Sequence, residues 1–144
     1  MQDYSETLAS TIENYLTSDG WAYDFDESNG IFYAGVSLQS KFSHCSFLID
    51  VNKRFYQIYA RLSADLTSDQ MSRMALALNR INCEITFGHF EFSENGSLRY
   101  RLVIPVQNLL DERTLHNSLY LPAYLIDRYA DELLSVLHTG KNVC

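Results

Sequence analysis

Apolar positions along the 144-residue chain change period several times, and each change marks a structural element. Tyr4, Leu8, Ile12 and Tyr15-Leu16 recur at helical spacing. Asp3-x-x-Glu6 reads as a capping box in front of them and Gly20 as a stop, so the spacing predicts a first helix. From Trp21 to about Leu62 the period falls to two. Trp21-Ala22-Tyr23-Asp24-Phe25 alternates, Ser28-Asn29-Gly30 is a hairpin turn signal, and Ile31 to Ala34 start the returning strand. Gly35 inside that strand marks a bulge or the close packing of something over it. His44 to Val51 and Phe55 to Leu62 form a second pair around Asn52-Lys53. Placing Val51 opposite Arg54 sets Ile49 against Tyr56, Phe47 against Ile58 and Cys45 against Ala60. A slip of one residue would carry this apolar set to the wrong face. The opposite face holds Phe55, Gln57, Tyr59 and Arg61, a mixed rather than a purely polar set.

The helical period returns after Thr67-x-x-Gln70, a second capping box, with an apolar stripe of Met71, Met74-Ala75, Leu78 and Ile81 and with Asn79 and Asn82 near the end. Another hairpin spans Glu84 to Ile104 about Asn95-Gly96. A three-residue loop with Gly96 in the left-handed position pairs Phe92 with Leu98, Phe90 with Tyr100 and Gly88 with Leu102, whereas a two-residue loop would set both phenylalanines against arginines. Apolar cross-strand pairs are worth roughly 0.2–1 kcal/mol each, which favours the bulged turn. After Pro105, Leu115, Leu119, Ala123, Ile126, Ala130, Leu133-Leu134 and Leu137 predict a long helix from about Asp111. Pro122 is expected to kink or break it, and Gly140 to close it.

The order is therefore α-β-β-β-β-α-β-β-α. Short turns between successive strands make the sheet antiparallel, giving an α+β fold of five to six strands with helices on one side. The length suits a single domain over 1–144. A content of 47% hydrophobic and 20% charged residues excludes disorder. No apolar run approaches the roughly 20 residues of a membrane span, and the start lacks a signal peptide, so the expected location is cytoplasmic.

Charge adds an asymmetry. The net charge is −7, yet Asp3, Glu6, Glu13, Asp19, Asp24, Asp26 and Glu27 all precede the first base, Lys41, and the remaining charges balance. This argues against a nucleic-acid surface and suits either a soluble acidic face or the recruitment of a basic segment. Cys45, Cys83 and Cys144 form no CxxC pair, and none of the four histidines has a zinc-ligand spacing, so neither a disulfide framework nor a metal cofactor is expected. His44 and Cys45, adjacent on a strand, point to opposite faces and cannot act as nucleophile and base. Glu84 and Glu91 with Arg99 and Arg101 read as cross-strand ion pairs rather than acid–base machinery. What stands out is ten Tyr, eight Phe and one Trp, more rings than one side of a small sheet needs. Surface Tyr and Trp favour protein contact.

The segment Leu78-Asn79-Arg80-Ile81-Asn82, the strand Phe87-Gly88-His89-Phe90-Glu91-Phe92, and the turn Asn95-Gly96-Ser97-Leu98 before a long terminal helix resemble the YbjN-like family. That family's fold is similar to the class I type III secretion chaperones. The resemblance spans roughly Ser5 to Leu137, and Pro122 departs from its uninterrupted last helix. It implies a non-enzymatic binder, chaperone-like or regulatory, that holds an extended protein segment, a basic one suiting the acidic end, and forms a homodimer. By that analogy self-association falls near Met71, Met74 and Leu78, and the partner segment beside Tyr4, Trp21, Tyr23 and Phe25. An edge strand with alternating aromatics can take a guest strand. The competing reading is a small enzyme or ligand binder with a pocket between sheet and helices, using Cys45 or His89.

Overall fold

The computed structural model describes residues 3–107 and 110–138. The Gly140 stop and the Cys144 thiol lie outside the described residues. Helix α1 (Glu6–Ser18) precedes strands β1 (Tyr23–Asp26), β2 (Ile31–Ser37), β3 (His44–Val51) and β4 (Phe55–Asp65). Helix α2 (Ser68–Glu84), strands β5 (His89–Phe92) and β6 (Ser97–Pro105), and helix α3 (Glu112–His138) follow. The strands form one antiparallel sheet in the order β1-β2-β3-β4-β6-β5. The fold is α+β with six strands among the described residues, in the predicted order of elements.

Period two decides which face the helices cover. Phe32, Phe47, Ile49, Tyr56, Ile58 and Tyr100 are essentially fully buried and share one face with Cys45, Ala60 and Leu102. Against it pack Leu8, Ile12 and Leu16 of α1, Met74, Leu78 and Ile81 of α2, and the Leu115–Leu119–Ile126–Leu133 stripe of α3. The opposite face stays open. It carries Tyr33, Leu48, Tyr59, Arg61, Arg99, Arg101 and Val103, all half-buried or exposed.

Three local expectations shift. The α1 cap is Ser5, whose hydroxyl accepts from the Leu8 N–H, and not Asp3. The β3–β4 register is displaced by two residues, pairing Ile49 with Ile58, Phe47 with Ala60 and Cys45 with Leu62. The Asn52 N–H donates to the Phe55 carbonyl at 2.8 Å, so the turn is Lys53-Arg54. A displacement of two keeps every side chain on its expected face, which is why the core set is unchanged. Gly35 sits in an unbroken ladder opposite Ser46, with no bulge.

Other local signals match the structure. Both arms of the Thr67–Gln70 capping box form. Gly96 lies at φ 84° with Phe92 opposite Leu98 and Phe90 opposite Tyr100, the bulged register. Helix α3 runs through Pro122 without a break. Proline cannot donate to the Ser118 carbonyl. The Ser118 hydroxyl meets the Tyr56 hydroxyl at 2.6 Å in the core and also donates to the Leu115 carbonyl. Tyr56→Phe removes one buried hydrogen bond while the serine keeps its other partner. A loss of about 1 kcal/mol in urea unfolding is expected.

Candidate partner-binding site

The four rings expected to meet a partner are brought together, but largely as cement between α1 and the β1–β3 end of the sheet. Tyr4 is buried, edge-on to Phe25 at 6.2 Å, and its hydroxyl donates to the Glu27 carbonyl. Phe25 stacks on Phe32 at 4.3 Å. Tyr23 also leans on Phe32, and its hydroxyl reaches Glu13 and Thr17 of α1. Trp21 packs against Phe47 and donates its indole N–H to Asp19. Trp21, Tyr23 and Phe25 are half-buried, so Tyr4 offers a partner nothing and the other three only part of their rings. The cause is local: β1 is four residues long, and its outward positions, Asp24 and Asp26, are both carboxylates.

The expected self-association face is also used inside the monomer. Met74 is fully enclosed and Leu78 is 4% exposed, because their stripe of α2 lies against the common core. Met71 is half-buried and covers Gly96. The exposed large apolar residue of α2 is Leu76, on the other side of the helix.

The centre of the sheet–helix layer is filled by core side chains, so neither Cys45 nor His89 lines an opening between sheet and helix. Cys45 is 1% exposed, and burial, helped by the negative charge of Asp127, pushes its thiol up to about 12, which keeps it protonated and unreactive. His89 lies on the open face, hydrogen-bonded to Glu91. Cys45 and His89 thus occupy opposite faces.

What the structure exposes lies elsewhere. An apolar groove of about 510 Å³ runs between the C-terminal half of β6 and the first half of α3, floored by Leu102, Ile104 and Leu121. Around it stand Phe87, Tyr124 and Tyr120, at 65%, 59% and 45% exposure. Local sequence builds each part. Gly88, at φ 70°, turns the chain just before β5, and the Tyr100 hydroxyl donates to the Phe87 carbonyl at 2.6 Å, fixing the segment that projects the Phe87 ring. His116, Tyr120 and Tyr124 recur at i, i+4 and i+8, one stripe around from the buried residues of α3. Tyr120 donates to Asp19 and meets the Trp21 ring edge-on at 6.0 Å, so the ridge continues to Trp21, one of the four rings expected to meet a partner beside α1 and β1. Hydrogen bonds from Tyr120 and Trp21 hold the Asp19 carboxyl below its usual range, so a negative charge persists beside the rings. The Tyr15 hydroxyl contacts His116 across the α1–α3 joint, and burial with the nearby Asp19 charge pushes the phenol up to about 12.

The groove also borders unpaired strand. The Val106 N–H bonds to Arg54 on the β4 side and the Ser97 carbonyl accepts from Ser93 on the β5 side, so alternation turns the N–H and C=O of Arg101 and Val103 toward β5. His89 pairs with Arg101, and there β5 ends, leaving Val103 beyond its reach. Sequence reading missed this site because Phe87 passed for a strand residue and Tyr120 and Tyr124 for part of a helix. The available signal was their phase, off the Leu115–Leu119–Ile126 stripe.

The chain is similar to known proteins at the level of family and fold. The YbjN family, described as "Putative bacterial sensory transduction regulator", matches residues 8–135. Among solved structures, the crystal structure of YbjN from E. coli, titled a putative transcription regulator, superposes with a TM-score of 0.61 at 12% identity. The match covers 85% of this chain and 91% of that one. No curated protein matches the sequence.

Proposed function

The chain belongs to the YbjN family, and from that premise we propose that it is a cytoplasmic regulatory protein that works by binding, holding an extended segment of a partner protein rather than transforming a substrate. The observation that carries this reading is the groove beside β6. Three exposed rings surround an apolar floor, and an unpaired stretch of strand runs along its side. A guest strand would pair its backbone with Val103 and place alternate side chains over Leu102 and Ile104. Large rings at a recognition surface carry much of the binding energy. The acid excess of the first 27 residues, with Asp19 beside the ridge, favours a basic guest.

The test is a double substitution, Phe87→Ala with Tyr124→Ala, measured against a partner recovered from the native host with the unaltered protein. Both rings face water, so the melting temperature should change little. Two truncated anchors at about 2 kcal/mol each would weaken binding by roughly a thousandfold. Undiminished affinity in a normally folded double variant would defeat the reading. Leu76→Ala, an equally exposed apolar change on α2, serves as the control and should bind normally.

A further inference from the structure

The open face of the sheet contains a hollow that the fold does not explain, and its lining points to a ligand. Across the sheet, one row of side chains runs Tyr33, Leu48, Tyr59, Arg101, and the next runs Gly35, Ser46, Arg61, Arg99. Two tall rings flank a shorter leucine. Strands lie about 4.8 Å apart, so Tyr33 and Tyr59 rise roughly 9.6 Å from each other, enough for a planar ring to enter between them at van der Waals contact. Beside this slot the sheet is low at Ser46, where a cavity of about 660 Å³ opens, and Gly35 borders an adjoining hollow of about 470 Å³ that shares Tyr33 and Ser46 with it. That is the size of a small-molecule site.

Two further features lack a structural reason. Gly35 has no positive φ, sits in regular pairing, and a methyl group built on it would meet nothing within 4 Å. Glycine weakens a strand interior, and in such places it marks the close approach of something else. Arg61 and Arg99 are directly opposite one another on β4 and β6. Like charges so placed destabilise a sheet. Glu91 relieves Arg99 and lies 3.8 Å from Arg101, and it is also bonded to His89. Arg61 has no acidic partner among the described residues. The guanidinium groups of Arg99 and Arg101 lie 4.8 and 5.4 Å from the centre of the Tyr59 ring, which holds them in place on the β6 side. Ser46, Ser93, Asn95 and Ser97 add neutral donors, and Asp65 is the one carboxylate in the lining.

We propose that this hollow binds a nucleotide, with the phosphate between Arg61 and Arg99 and the base inserted between Tyr33 and Tyr59 over Leu48. A phosphate removes the repulsion between the facing arginines, and the absent side chain at position 35, two residues from Tyr33 on β2, leaves room at the base end of the slot. The site is on the face opposite the helices and the proposed protein groove, so it would give the molecule a small-molecule input separate from its partner.

The experiment is a titration of the full chain with AMP, GMP, CMP and UMP in turn, followed by amide chemical shifts and calorimetry, with inorganic phosphate and a short polyglutamate peptide as comparison probes. At least one nucleotide should bind no weaker than about 1 mM, shifting amides of residues 33–35, 46–48, 59–61 and 97–99. Arg61→Ala should cost about tenfold or more, as loss of a charge-assisted hydrogen bond does. Gly35→Val separates ligand from fold: valine suits a strand and has space, so thermal stability should hold or rise while nucleotide affinity falls at least about tenfold. No binding by any nucleotide, shifts on another face, equal binding of phosphate or polyglutamate, or affinity indifferent to both substitutions would overturn the proposal.

Discussion

Gly96→Ala should lower the melting temperature by about 10 °C, the equivalent of about 3 kcal/mol in a domain of this size. Two costs combine. At φ 84° the residue is in the left-handed region, where a side chain costs roughly 1–2 kcal/mol. The new methyl carbon would also come within 2.4 Å of the Leu66 carbonyl oxygen and 3.0 Å of its nitrogen, both backbone atoms unable to rotate away. The clash falls on a working contact, since the Leu66 N–H donates to the Gly96 carbonyl at 2.8 Å. That bond ties the β5–β6 turn to the end of β4, just before the Thr67 cap of α2. The damage should therefore spread to hydrogen exchange at the start of α2 as well as the turn. Calorimetry of the two proteins checks the prediction. A shift of less than about 3 °C would mean the turn yields, and that the bulged register matters less than its geometry implies.

The same glycine shows what the sequence can disclose. Its role follows from pairing phenylalanines with apolar partners rather than with arginines, an argument needing only the two strands themselves. The Thr67–Gln70 box and the Ser28-Asn29-Gly30 turn are local in the same sense. The register of β3 against β4 is open to error because Asn52-Lys53 and Lys53-Arg54 are both acceptable turns, one residue apart, and the registers they set differ by two. Burial, which responds only to parity, does not discriminate between them. Surface function was harder to see. Trp21, Tyr23 and Phe25 alternate as edge-strand anchors would, but whether α1 folds over them depends on tertiary packing. Phe87, Tyr120 and Tyr124 come together only because β5 stops short of the end of β6 and α3 crosses that gap. No spacing along the chain encodes that meeting. Alternation places Arg61, Arg99 and Arg101 off the core face, but that Arg61 and Arg99 face each other depends on β4 pairing with β6 across the intervening α2 and β5.

Phe47→Ala is expected to have the larger effect on stability, about 4 kcal/mol or more, at the upper part of the range for core phenylalanines. Phe47 is 1% exposed in the middle of the sheet, and its neighbours in register on either side are Ala34 and Ala60. One ring thus fills the volume left by two small residues, and its removal places three alanines in a row. No adjacent side chain on the sheet is long enough to close the hole, so the cavity should remain. The ring is also the floor beneath Trp21, whose centroid is 5.9 Å away, and Trp21 in turn supports Tyr120 at the end of the exposed ridge. Because Trp21 is the only tryptophan, its fluorescence reports this stack alone. The variant should unfold at clearly lower urea concentration, and its native emission should move to the red as water reaches the indole. Phe47→Leu, which keeps most of the volume, should recover most of the stability. If Phe47→Ala lost stability with unchanged emission, Trp21 would be held by α1 and Asp19 rather than by the sheet, and the ridge would not depend on the core beneath it.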